Sequence, residues 1–180
     1  AMTDYATDAY ADSQWQILTS HSPTLGGPIV KHPTGGGNWY TVNNRAICRA
    51  PGVNYYSGVP ATADYSVQAD IVIFSAIGSA GVVGRCDPGS STWYHAYINQ
   101  GNHELALVKW VAGSPTNIES VLSDTYMASA SGVTYTLKLV MASTTIEVWV
   151  NGVKKIDQTD SSITATGRGG FRAGIISDTY

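Results

Sequence analysis

Thr145-Ile146-Glu147-Val148-Trp149-Val150-Asn151-Gly152-Val153-Lys154-Lys155-Ile156 carries the clearest strand-and-turn signal in the chain. Ile146, Val148 and Val150 recur every second residue, while Glu147 and Trp149 point the other way. That period belongs to a half-buried β-strand, not to a helix. Asn151-Gly152 follows at once. Both central positions of a two-residue hairpin turn need positive φ, and Asn-Gly supplies them with least strain, so a second strand is expected to fold back from Val153.

The same vocabulary extends outward. In Thr134–Leu139, Tyr135, Leu137 and Leu139 alternate with polar residues. In Tyr65–Ile73, the residues Tyr65, Val67, Ala69, Ile71 and Ile73 share one face, and Ser66, Gln68 and Asp70 the other. Asn99-Gln100-Gly101-Asn102 separates Tyr94–Ile98 from Glu104–Trp110 and predicts another hairpin. Ser114-Pro115-Thr116-Asn117 and Ala142-Ser143-Thr144 read as further reversals. Helical periodicity is almost absent. Short strands with turns at this spacing indicate a sandwich or barrel. The N-terminal part is looser, broken at His21-Ser22-Pro23, Gly26-Gly27-Pro28 and Gly35-Gly36-Gly37. Residues 3–60 are therefore expected to be irregular loops with two or three short strands, Arg45–Arg49 among them. Residues 1–180 read as a single domain, Ala1-Met2 having the look of a tag remnant.

Composition excludes several classes. Apolar residues make up 43% and charged residues 13% of the chain, the reverse of what disorder requires. The net charge is −3 and Lys154-Lys155 is the sole basic pair, so no phosphate-neutralising stripe suggests nucleic acid. No run approaches the ~20 apolar residues of a membrane span. Cys48 and Cys86 each fall in a strand-like segment; one disulfide, or two buried thiols, are both compatible with the sequence.

From Asp64 onward the chain resembles laminin G-like modules of the concanavalin A-like class. The resemblance is carried, in order, by Asp64–Asp70, Gly81-Val82-Val83-Gly84-Arg85, Trp93–Ile98, Glu104–Lys109, Tyr135–Leu139 and Ile146–Gly152. Upstream, Leu18–Pro23 and Asn43-Asn44-Arg45-Ala46 resemble the openings of such modules in phage structural and bacterial surface proteins. It implies an all-β jelly roll of two antiparallel sheets, one concave, with carbohydrate or protein binding common. It also implies a strand beyond Ser177-Asp178-Thr179 that pairs with the N-terminal strand. The fold hosts lectins, glycosidases and structural modules alike, so function must be argued from a site.

Catalysis has thin material. A glycosidase needs two carboxylates ~5 Å or ~6.5–9.5 Å apart. The three glutamates, Glu104, Glu119 and Glu147, stand far apart in sequence, and Asp157 and Asp160 read as turn residues. A lyase-like set of Gln68, Arg85, His95 and Tyr97 is conceivable on the outward side of adjacent strands. Binding is better supplied. If Tyr94, Ala96 and Ile98 face a core, Trp93, His95 and Tyr97 face outward together, as do Glu147 and Trp149. Exposed Trp and Tyr offer flat platforms for sugar rings, and Arg85 and Lys109 offer donors. The expected ligand-binding set is thus Gln68, Arg85, Trp93, His95, Tyr97, Lys109, Glu147 and Trp149. Ca²⁺ is the one cofactor left open, with Asp4, Asp8, Asp12 or Asp87 as ligands. No zinc-ligand spacing occurs. The expectation is a non-catalytic lectin-like module, extracellular or on a virion surface, that binds a glycan or receptor. The alternative is a structural or decorating domain of a phage particle that contacts other protein, and a lyase or glycosidase comes third.

Overall fold

The computed structural model describes residues 29–31, 39–42, 45–48, 52–56, 58–73, 78–122 and 133–174. The chain enters through β1 (Ile29–Lys31), β2 (Trp39–Val42), β3 (Arg45–Cys48) and β4 (Gly52–Tyr56). β5 (Tyr65–Val72), β6 (Ser79–Asp87), β7 (Thr92–Asn99), β8 (Glu104–Val111) and β9 (Ser114–Leu122) follow. β10 (Thr134–Ala142), β11 (Thr145–Val150), β12 (Val153–Thr159) and β13 (Arg168–Ala173) complete the described strands. A seven-stranded sheet runs β1-β4-β13-β6-β7-β8-β9, a four-stranded sheet β12-β11-β10-β5, and β2-β3 form a separate hairpin. Every pairing is antiparallel. The architecture is an all-β, two-sheet open sandwich of the concanavalin A-like jelly-roll kind, as the sequence led us to expect.

The two sheets close on one apolar layer. The smaller sheet contributes Val67, Ile71, Tyr135, Leu137, Leu139, Ile146, Val148, Val150 and Ile156; the larger contributes Val82, Tyr94, Ala96, Ile98, Leu105 and Leu107. Those of β5, β7, β10 and β11 are the alternating positions read from the sequence, because removing apolar area from water at about 25 cal/mol per Å² fixes which face turns inward; Val82, Leu105, Leu107 and Ile156 join them. Ser66, Gln68 and Asp70 lie exposed on the opposite face of β5.

The turns show where local chemistry decided. Asn151 and Gly152 both have positive φ, 50° and 78°, which gives the expected two-residue turn. The reversal assigned to Ser114–Asn117 falls instead at Ala112-Gly113, whose φ angles are 50° and 79°. Ser114–Asn117 begin β9, an edge strand, where Pro115 can sit opposite Trp110 without breaking an interior ladder. Cys86 is a free, buried thiol, so no disulfide forms. Burial pushes its pKa up to about 12, which keeps it protonated. Asp4, Asp8, Asp12 and the segment 177–179 lie outside the described residues.

One buried polar assembly ties the end of the sandwich. β6 is irregular between Gly84 and Asp87, and Arg85 there has φ 48°. Simple alternation would send Arg85 to the outer face with Val83. The bulge turns it inward, where it is 1% exposed. Its guanidinium donates to three carbonyls: Ala63 O at 2.9 Å, Ile163 O at 2.6 Å and Ser143 O at 2.8 Å. Three chain segments are thereby held on one side chain. Gly167 passes so close to the Arg85 carbonyl carbon that an added Cβ would stand 2.4 Å from it, which explains a glycine at that crossing. Beside it, Asp160 accepts from the Tyr94 hydroxyl at 2.7 Å and from Lys109 Nζ at 2.6 Å, and Lys109 also reaches Ser162 Oγ.

Two outcomes follow from this assembly. Arg85→Met should leave three carbonyls without donors and cost about 3 kcal/mol, or roughly 6–12 °C of Tm, in thermal unfolding followed by circular dichroism. For Asp160, burial acts to raise the pKa, but the bonds from Lys109, Tyr94 and Ser162 prevail and bring it to about 2. The folded value lies below that of an unperturbed carboxyl, so the fold stabilises the ionised form. That contribution, about 2 kcal/mol, is present above pH ~4 and lost as pH falls toward 2. Urea titrations at pH 2.5 and pH 6 should show a smaller pH difference in Asp160→Asn than in the parent.

Candidate functional site

The outer face of the seven-stranded sheet carries a second, smaller cluster built from Val53, Val83, Cys86 and Trp93, with Trp110 packed against it. β7 is therefore buried on both faces: Tyr94, Ala96 and Ile98 inward, Trp93 and His95 outward yet only 5% and 2% exposed. The sequence placed Trp93, His95 and Tyr97 on one side correctly. Their exposure was misjudged, because alternation reports direction and not cover; Tyr97 alone of the three is partly exposed.

The geometry of this face is aromatic and cationic. Trp93 and Trp110 are direct cross-strand partners, stacked with centroids 5.4 Å apart and planes at 22°. His95 and Tyr97 stack along β7 at 4.8 Å and 23°. Arg172 starts from β13, three strands away from β8 in the sheet order, yet its guanidinium carbon lies 4.8 Å from the centre of Trp110. Its side chain thus reaches across β6 and β7 toward β8, and its charge acts on His95 between them. Among the described residues neither ring nitrogen of His95 has a hydrogen-bond partner, and neither does Trp110 Nε1. Burial, with the nearby Arg172 charge, holds the His95 pKa well below its usual range, so the ring is neutral. Burial and Glu104 raise that of Tyr97, against a smaller opposing effect of Arg172. Burial lowers that of Arg172, opposed by Tyr97.

Trp110, Arg172 and Glu104 were absent from the expected set. Trp110 pairs with Trp93 about a turn centred between Gly101 and Asn102, one position beyond the centre of the Asn99–Asn102 reversal read from the sequence, so counting about that reversal does not find it. Arg172 had no local signal, since Arg168–Ala173 shows no apolar alternation and its pairing with β6 spans about half of the chain.

The remaining expected residues lie elsewhere. Gln68, Glu147 and Trp149 share the outer face of the four-stranded sheet, on the opposite side of the sandwich from His95. Gln68, Lys138, Trp149 and Lys154 form a cross-strand row there. Trp149 Nε1 donates to Glu147 Oε2 at 2.9 Å, and Lys154 bridges Glu147 at 3.0 Å and Asp157 at 2.5 Å. Arg85 and Lys109 occupy the sandwich end, with their donors engaged by the protein itself. The single-face arrangement of Gln68, Arg85, His95 and Tyr97 is thus corrected: β5 and β7 belong to different sheets, and the bulge turns Arg85 away.

A pocket of about 240 Å³ opens beside Arg85, lined also by Asp87, Ser90, Thr92, Ser162 and Thr166. Asp87 is committed to its own turn, accepting from Gly89 N at 3.0 Å and Ser90 Oγ at 2.6 Å. Among the described residues no three His, Cys, Asp or Glu side chains gather as a metal site would require.

No protein-family model matches the sequence, and no curated protein sequence matches it. Solved structures do. A carbohydrate binding module, CBM66, from Bacillus subtilis superposes with a TM-score of 0.71 at 17% identity, covering 83% of this chain and 92% of that one. A Bacillus licheniformis β-glucanase gives 0.54 at 12% identity, over 78% of this chain and 65% of the glucanase. Sheep galectin-11 in complex with glycerol gives 0.50 at 12% identity, over 66% and 90%. At such identities the likeness is one of fold: this chain is a β-sandwich of the kind shared by lectins, carbohydrate-binding modules and glucanases.

Proposed function

We propose that this protein is a non-catalytic, lectin-like carbohydrate-binding module, extracellular or surface-displayed, that engages its ligand on the outer face of the seven-stranded sheet. The observation that carries this reading is the stacked Trp93–Trp110 pair beside a buried histidine with both nitrogens unpartnered. Trp110, backed by the buried Trp93, presents the flat apolar surface that a pyranose ring covers, and an unpartnered imidazole supplies one donor and one acceptor for hydroxyls. Buried polar atoms without partners cost about 1–3 kcal/mol each, a cost that a ligand's hydroxyls would remove. Kinship of fold with a carbohydrate binding module and a glucanase supports a sugar ligand by analogy.

The non-catalytic half rests on charge. Glu147 and Asp157 are neighbours across β11 and β12, the nearest thing among the described residues to a hydrolytic pair. A general acid must hold its proton near neutral pH. The hydrogen bonds from Lys154 and Trp149 instead lower the Glu147 pKa. Tyr97, whose raised pKa keeps its hydroxyl protonated, is equally unsuited as the base of a lyase.

A glycan-array screen with and without Ca²⁺, followed by calorimetry on the best binder, checks the reading. Trp110→Ala should weaken binding by about tenfold or more, and Trp149→Ala, on the opposite sheet, should leave it within about twofold. The converse pattern would move the site to the smaller sheet. A folded protein that binds no glycan would sink the proposal and favour a protein-contacting role. Release of reducing ends from the bound polysaccharide would overturn its non-catalytic half.

A further inference from the structure

The charge on this face narrows the ligand class. Arg172 is partly buried, stacks on Trp110 and lies near enough to His95 for its charge to act on the ring, yet among the described residues no carboxylate or carbonyl receives its guanidinium. The other buried arginine behaves quite differently, since Arg85 is matched by three carbonyls and by Asp64 at 3.4 Å. Lys109 is likewise matched by Asp160, and Lys154 by Glu147 and Asp157. A cation withdrawn from water without a counter-charge is costly, and a planar five-donor fork suits a carboxylate in bidentate geometry. Glu104, the acidic group on the same face, lies beyond Tyr97 at the start of β8 and acts on Tyr97, not on Arg172.

We infer that the ligand is an acidic glycan, and that Arg172 receives the carboxylate of a uronate or sialate residue. This rests on the carbohydrate-binding reading and specifies its chemistry. On binding, the guanidinium exchanges the Trp110 ring for the carboxylate. The exchange frees the indole face for the sugar ring and leaves His95 to meet a hydroxyl. Cation–π contact with an indole is the weaker partner in this exchange, because a bidentate charge-assisted pair is stronger as well as directional. Sugar is favoured over an acidic peptide because two stacked indoles lie beside the cation.

The test is titration of the intact protein with trigalacturonate, its neutral methyl ester, sialyllactose, lactose and a triglutamate peptide, read by calorimetry and by tryptophan fluorescence. At least one acidic saccharide should bind about tenfold or more tightly than its neutral counterpart and change the fluorescence as Arg172 leaves Trp110. Arg172→Gln should abolish that preference, so that acid and ester bind alike, and Arg172→Lys should restore part of it, since charge returns without the fork. Equal affinity for acid and neutral forms would overturn this inference but leave a sugar-binding module standing. Binding to none of the saccharides would overturn both readings. An acid preference that survives in Arg172→Gln would place the carboxylate elsewhere and overturn the assignment. Triglutamate binding as tightly as the best saccharide would overturn the choice of sugar. None of these comparisons depends on a variant alone, because the acid–ester pair is measured on the parent protein.

Discussion

The inward turn of Arg85 is the constraint on which the rest of the sandwich end depends. A guanidinium 1% exposed can exist there only because three carbonyls and a carboxylate from separate segments converge on it. Those segments are the approach to β5, the β10–β11 turn and the passage from β12 to β13. One side chain therefore sets the relative position of both sheets and of the chain that crosses between them. The Tyr94–Asp160–Lys109 group continues the same logic one layer over. Full satisfaction matters more than the number of bonds, since a half-satisfied buried network is worse than an apolar one.

Local rules made much of this legible. The hairpin at Asn151-Gly152 and the inward sets of β5, β10 and β11 follow from period-two alternation and from the φ demands of a tight turn. What escaped depended on contacts across the chain. Burial of Trp93 and His95 could not be read from β7 itself, because a strand covered on both faces differs from a half-covered one only in what lies above it. The bulge at Gly84–Asp87 reversed Arg85, and a one-residue irregularity of that kind leaves no compositional mark. Pro115 misdirected the reading of β9, since a turn-favouring residue is also tolerated on an edge strand. For the site, Trp110 needed the exact register of the β7–β8 hairpin, and Arg172 needed the β13–β6 pairing, which has no local signature.

The two outer faces of the sandwich differ in a way that bears on function. On the smaller sheet, several polar groups reach water and match one another: Lys154 with Glu147 and Asp157, Trp149 Nε1 with Glu147, Thr136 Oγ1 with Asp70 at 2.7 Å. Such a face is complete in water, and exposed pairs of this sort contribute little to stability. On the larger sheet, the polar groups are withdrawn from water and unmatched: His95 at both nitrogens, Trp110 at its indole nitrogen, Arg172 at its guanidinium.

Stability alone would favour apolar replacements at those positions, as it does for most buried polar groups lacking partners. A neutral imidazole stacked on Tyr97 could give way to a phenyl ring with no loss of packing and with the desolvation cost removed. The same holds for Arg172, whose aliphatic stem alone would cover β6 and β7. Each group keeps a hydrogen-bonding capacity that the described residues leave unused, and His95 and Arg172 both lie on the face that holds Trp110. Independent packing accidents would scatter over the molecule. Convergence on one face is the arrangement expected where the missing partner is a single ligand.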